Sequence, residues 1–208
     1  MNKKIILSIL SVFIINFVMG QLIIIPIPIG KGLVPEHGFL PGSKFKFYPT
    51  INTYDFKGFK LRVEVYDDRE NVKLTKTHCS DLEFTNTSEF TNSNCIFKVS
   101  QYVDTLLEQS RATLDSTSTD TLQVKLEGID ARLIGFGYVR VHGLCQIKVK
   151  YHNITKIYCS DITDADKNSP ISPNALVSRK TATRIMASAS IREVIEQFFV
   201  DLDAGSYK

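Results

Sequence analysis

LQVKLEGIDARLIGFGYVRVHGLCQIKVKYHNITKIYCSDI, residues 122–162, is the stretch that decides the fold. Leu122, Val124 and Leu126 alternate with polar neighbours, the period-two mark of a strand that buries one face. Gly128 interrupts the alternation, and Ile129, Ala131 and Leu133 resume it, which predicts a β-bulge at the glycine. After Gly135 and Gly137 the odd positions Val139, Val141, Cys145, Ile147 and Val149 form an apolar face, while Arg140, His142, Gln146, Lys148 and Lys150 point away. A turn near His152 and Asn153 leads back into residues 154–162, with Ile157 and Cys159 again at odd positions. Three long antiparallel strands are expected.

On the N-terminal side, FKLRVEVY (59–66) alternates with Leu61, Val63 and Val65 on one face. The charged run of Asp67, Asp68, Arg69 and Glu70 reads as a solvated turn. Residues 72–77 suggest another short strand, and the Ser, Thr and Asn between Cys79 and Cys95 suggest a loop. Over 99–114 the period becomes helical, with Val99, Tyr102, Val103, Leu106, Leu107 and Leu114 on one side and Ser100 as cap. A polar linker, DSTSTD (115–120), separates it from the long strands. Beyond them, Ser172 followed by Pro173 is a helix start, and a broad stripe from Ile185 to Leu202 extends that helix. Arg179, Lys180 and Arg184 in its first half read as a solvated face. The order predicts an α+β fold: a mixed, mainly antiparallel sheet with two helices packed on one face.

Residues 1–20 have the form of a secretory signal: Lys3 and Lys4, an apolar run over 5–18, then Val18 and Gly20 before a cut that leaves Gln21 first. Pro26 and Pro28 argue against one spanning helix through the second apolar run, 22–29. Gln21 stands where a lipoprotein carries cysteine, so no lipid anchor is expected. Residues 21–43, rich in Pro and Gly, read as an extended lead-in, 44–48 as a short strand, and 44–208 as a single domain. The net charge of +3 is 25 Lys and Arg against 22 Asp and Glu, and removing Lys3 and Lys4 leaves 23 against 22. That balance points to no nucleic-acid partner.

Export makes the four cysteines meaningful, since thiols pair in an oxidising compartment. Sequence spacing favours Cys79 with Cys95 and Cys145 with Cys159. A hairpin centred on His152 would place Cys145 and Cys159 directly opposite each other, the expected cross-strand bridge. No close pair of ligands suggests a metal, although His78 adjoins Cys79, and no cofactor motif occurs. Asp161, Asp164, Asp166 and Asn168 resemble the opening of a calcium loop but lack its later glycine and glutamate, and read as a polar loop. There is no G-x-S-x-G, H-E-x-x-H or Walker loop. His142 lies on the polar face with no acidic neighbour in sequence, and reads as exposed. Asn86 and Asn153 are glycosylation sequons by pattern.

From residue 59 onward the chain resembles the YajG-type family of Gram-negative envelope lipoproteins. The resemblance lies in LRVEVYDDREN, the helix VSQYVDTLLEQSRATL, the strand LQVKLEGIDARL, a hairpin, and the long helix ALVSRKTATRIMASASIREVIEQFF. It implies a non-enzymatic, envelope-associated domain with a binding or accessory role, and it supplies no catalytic residue. The expectation is thus an exported, periplasmic or secreted domain whose partner is a protein or an envelope component. A role in envelope lipid or lipopolysaccharide handling is the alternative, prompted by the apolar 22–29, and association with a membrane surface stays open. A secreted hydrolase is the third reading.

Overall fold

The computed structural model describes residues 50–85, 93–135, 139–171 and 178–207. The signal with its cut between Gly20 and Gln21, the lead-in, the strand over 44–48, Asn86, and the Ser172–Pro173 helix start all lie outside them. The elements are β1 (Lys60–Asp67), α1 (Arg69–Val72), α2 (Ser93–Gln109), β2 (Thr113–Leu114), β3 (Thr121–Ile134), β4 (Arg140–Tyr151), β5 (Ile154–Thr163) and α3 (Arg179–Asp203). One five-stranded sheet runs β2-β1-β3-β4-β5. The β1–β2 and β1–β3 pairs are parallel, and the longer β3–β4 and β4–β5 ladders are antiparallel. This is the mixed, mostly antiparallel α+β sheet that the alternation predicts.

The sheet has a helix face. Val63 pairs with Leu122, Leu122 with Tyr151, and Ile147 with Tyr158, so these side chains share one side. The bulge falls where Gly128 places it: the β3–β4 register shifts between Leu126 and Gly128, which returns Ile129, Ala131 and Leu133 to the helix face. Helix α2 adds Val99, Tyr102, Val103, Leu106 and Leu107 to the same core, and α3 adds Ile185, Ile191, Val194, Phe198 and Phe199. Each large apolar side chain buried there contributes about 1.5–3 kcal/mol.

Helix α3 lies close to the sheet because both surfaces are small where they meet. Gly143 pairs with Ala131, and a Cβ at 143 would stand 2.6 Å from the backbone carbon of Met186 and overlap its carbonyl oxygen. Ala182, Ala187, Ala189 and Ser190 keep that half of the helix narrow and buried. Further along, the buried Glu196 carboxylate accepts hydrogen bonds from the Ile51 and Asn52 backbone amides at 2.9 and 2.7 Å. It also accepts from Asn52 Nδ2 and Tyr54 Oη, at 2.9 and 3.3 Å, and so ties the first described residues to α3.

Several expectations are corrected in detail. Helix α2 spans Ser93–Gln109, so Ser100 lies inside it, and Leu114 belongs to β2, paired with Leu61. The charged turn contains one helical turn, α1, closed by Lys73 in the left-handed conformation. The cap of α3 is Ser178, whose hydroxyl accepts from the Thr181 amide at 3.2 Å. The β4–β5 turn is centred between His152 and Asn153, since Tyr151 pairs with Ile154, and His152 has φ 50°. That half-residue displacement puts Tyr158 and Ile162 on the helix face and leaves Ile157 42% exposed.

Candidate functional site

The opposite face of the sheet is crossed by residues 73–85, a strap held mainly by side chains of the strands beneath it. Gln146 accepts the His78 amide at 2.8 Å and donates to the buried Glu127 carboxylate at 2.9 Å. Lys148 supports Glu127 from the other side, Nζ to Oε1 at 2.6 Å. Asp130 accepts the Thr85 amide at 2.7 Å, and the Arg132 guanidinium donates to the Glu83 carbonyl. Gly128 leaves room for the Phe84 ring, which a Cβ would meet at 2.5 Å. Within the strap, Lys76 and Glu83 form a single antiparallel bridge, so the strand expected over 72–77 reduces to one pair.

At the β5 end of the strap, Asp161 gathers two partners. Ser80 Oγ donates to Asp161 Oδ2 at 2.6 Å, and His142 Nδ1 lies 2.7 Å from Asp161 Oδ1. The carboxylate is acceptor-only, so Nδ1 carries the proton in this contact. His142 is therefore partly buried and paired with an acid nineteen residues away, which corrects its reading as an exposed histidine. A serine, a histidine and an aspartate meet here, but in the wrong order for a nucleophile. An activated serine donates to the imidazole, whereas Ser80 donates to the carboxylate.

The cysteines fall into two environments. Cys145 lies opposite Ser160 and Cys159 opposite Gln146, so the expected cross-strand partners face opposite sides of the sheet. Cys95 is buried with α2 on the helix side, whereas Cys79 is exposed on the strap. Neither expected pairing is therefore set up by this geometry, and all four are thiols in this structure. Burial pushes the Cys95 thiol up to about 12, with the nearby Arg69 guanidinium opposing. Burial also raises Cys145 well above the usual thiol range. Burial first, then hydrogen bonding with Cys79, brings Cys159 to about 12. The two fully buried thiols, Cys95 and Cys145, are held protonated in this way and are poor nucleophiles near neutral pH.

Two clefts flank the strap, and a third, an open basin of about 590 Å³, lies on the strap itself, lined by Lys76, Thr77, His78, Cys79, Ser80 and Asp81. One of about 220 Å³ is lined by Asp67, Arg69, Leu74, Phe84, Glu127 and Gly128. Its guanidinium is gripped by Asp67, Nε to Oδ1 at 2.7 Å and Nη2 to Oδ2 at 2.6 Å, and this bond first of all holds the Asp67 carboxyl below its usual range. The other, about 340 Å³, lies between β5 and α3 and includes Cys79, Cys159, Asp161, Asp166, Glu193 and Gln197. Pockets for ordinary small-molecule ligands occupy about 300–1,000 Å³, so the first is too small and the second is at the lower limit. The acids of the apparent calcium loop are engaged separately: Asp164 is buried with its carboxylate 3.4 Å from the Val141 amide, and Asp166 accepts the Thr163 amide at 2.5 Å. Among the described residues no group of three or more His, Cys, Asp or Glu side chains could hold a metal. None of their helices is long and apolar enough to cross a membrane. Asn153 is exposed in the β4–β5 turn.

Sequence reasoning missed the role of Ser80, Gln146 and Asp161 because none of them carries a local signal: their partners lie up to 81 residues away. Comparison with known proteins adds fold-level likeness only. No protein-family model matches the chain, and no curated protein matches it. Among solved structures, it is similar to a protein from Xanthomonas campestris described under the family model DUF330, at 8% identity and a TM-score of 0.42, over 78% of this chain and 90% of that one. It is also similar to a structure titled as an uncharacterized protein, at 11% identity and a TM-score of 0.33, over 77% of this chain and 98% of that one.

Proposed function

We propose that this protein is an exported, non-enzymatic domain of the bacterial envelope, of the YajG type, with an accessory role in which it binds another protein or an envelope component. The observation that carries the reading is the arrangement around Asp161, which accepts hydrogen bonds from both Ser80 and His142 and leaves no side chain activated for attack. The buried, protonated thiols Cys95 and Cys145 support the same view. Export rests on the basic start at Lys3 and Lys4 and the apolar 5–18. The family reading rests on element order: strand, helix, long strand, hairpin, long helix.

The test pairs affinity capture with an activity screen. Immobilised protein should retain a defined partner from periplasmic extract, and an esterase, phosphatase and protease panel should show no turnover above buffer. Robust turnover that is lost in Ser80→Ala would overturn the non-enzymatic reading, and a clean capture with nothing bound would count against the accessory role. The apolar 22–29 motivates a second reading, envelope-lipid handling. Lipid extraction and mass spectrometry of the purified protein decide it, and an empty protein excludes it.

A further inference from the structure

We propose that Cys79 and Cys159 form an oxidisable pair, a disulfide that fastens the strap to β5. The register sets Cys159 beside Gln146 on the strap face. Both neighbours of Cys79 grip that position: the His78 amide donates to Gln146 Oε1 at 2.8 Å, and Ser80 Oγ donates to Asp161 Oδ2 at 2.6 Å. Asp161 lies two residues beyond Cys159, on the same face of β5. Held from both sides, Cys79 is kept at the edge of β5, where it and Cys159 share the lining of one cleft. Cys95 and Cys145 are fully buried on the helix side and out of reach of an oxidant in the folded protein. The pair joins residues 80 positions apart, a link that sequence spacing disfavours and the sheet register creates.

The co-reactant is a low-molecular-weight disulfide, RSSR. Cys79, the exposed member, attacks as thiolate; the S–S bond of RSSR breaks, one RS⁻ leaves, and a Cys79–SR mixed disulfide forms. The Cys159 sulfur then displaces the second RS⁻. The two thiol protons end on two RSH, the protein gives up two electrons, and RSSR gains them.

The experiment uses the full chain, purified with its thiols reduced, treated with oxidised glutathione at neutral pH, quenched with N-ethylmaleimide and mapped by mass spectrometry without reduction. Cys79 and Cys95 share the tryptic peptide 77–98, so cleavage at acidic residues is added to separate them. The expected product is a Cys79–Cys159 cross-linked peptide, a loss of two hydrogens from the intact chain, and alkylation of both cysteines falling together. In Cys79→Ser, an exposed change that spares the core, Cys159 should stay alkylated and the cross-link vanish. A Cys145–Cys159 or Cys79–Cys95 peptide, a persistent glutathione adduct on Cys79, or full alkylation of both cysteines after oxidation would each overturn the proposal.

Discussion

Gly143→Ala separates two opposed effects, and its sign tests how α3 sits on the sheet. Gly143 is not among the glycines with positive φ, so alanine is conformationally allowed there. On backbone grounds alone the change stabilises, by about 0.4–1 kcal/mol, because it narrows the unfolded ensemble. The packing says the reverse. The new methyl would stand 2.6 Å from the Met186 carbonyl carbon and overlap its oxygen. These are backbone atoms of a long helix, so no rotamer change relieves the clash, and α3 must lift from β3 and β4. Overpacking of this kind costs about 1–3 kcal/mol, and a rigid backbone obstacle puts it at the upper end. The net expectation is a loss of about 2 kcal/mol. With a urea m-value of about 2 kcal/mol/M, the unfolding midpoint falls by about 1 M. Urea titration followed by far-ultraviolet circular dichroism reads it directly. An unchanged or higher midpoint would refute the close approach of α3.

Three other substitutions probe separate contacts. Gly128→Ala meets the Phe84 ring, a side chain that can swing away, so the loss should be only about 1 kcal/mol, with faster protease cleavage in residues 73–85 as the accompanying readout. Glu196→Gln turns one acceptor into a donor facing amides already bound to it; it should cost about 2 kcal/mol and expose residues 50–56 to limited proteolysis. Asp104 is raised above its usual pKa by burial and secondarily by Glu108. A carboxyl whose folded pKa is raised destabilises above that pKa, and the penalty is relieved as pH falls through it. Asp104→Asn should therefore stabilise by about 0.5 kcal/mol at pH 7, an advantage that urea titrations should find disappearing as pH drops through the carboxylate range.

The sheet was legible because alternation reports burial, and burial is what the strands share: Leu122, Val124, Ile129, Ile147 and Val149 all lie where their period places them. The bulge was legible because Gly128 is the one position where the period breaks. Register was not. Turn residues 152 and 153 fit a centre on or between them, and the choice reverses which face of β5 is buried. The expected centre set Cys159 opposite Cys145; the true register turns it to the strap face, toward Cys79. Helix α2 begins six residues before its first expected apolar position, because Cys95 and Ile96 sit in a polar surrounding that masks the stripe. The candidate site was the least legible part. Gln146, Asp161 and Ser80 acquire their roles only when the strap crosses the sheet, a long-range event with no periodic trace.

Export is the claim on which the functional proposal depends, and the intact mass of the chain recovered from the cells that make it tests this most directly. The account predicts a mature protein beginning at Gln21, without the residues that carry Lys3 and Lys4 and without added lipid. A chain that retains Met1 and fractionates with the cytosol would contradict it.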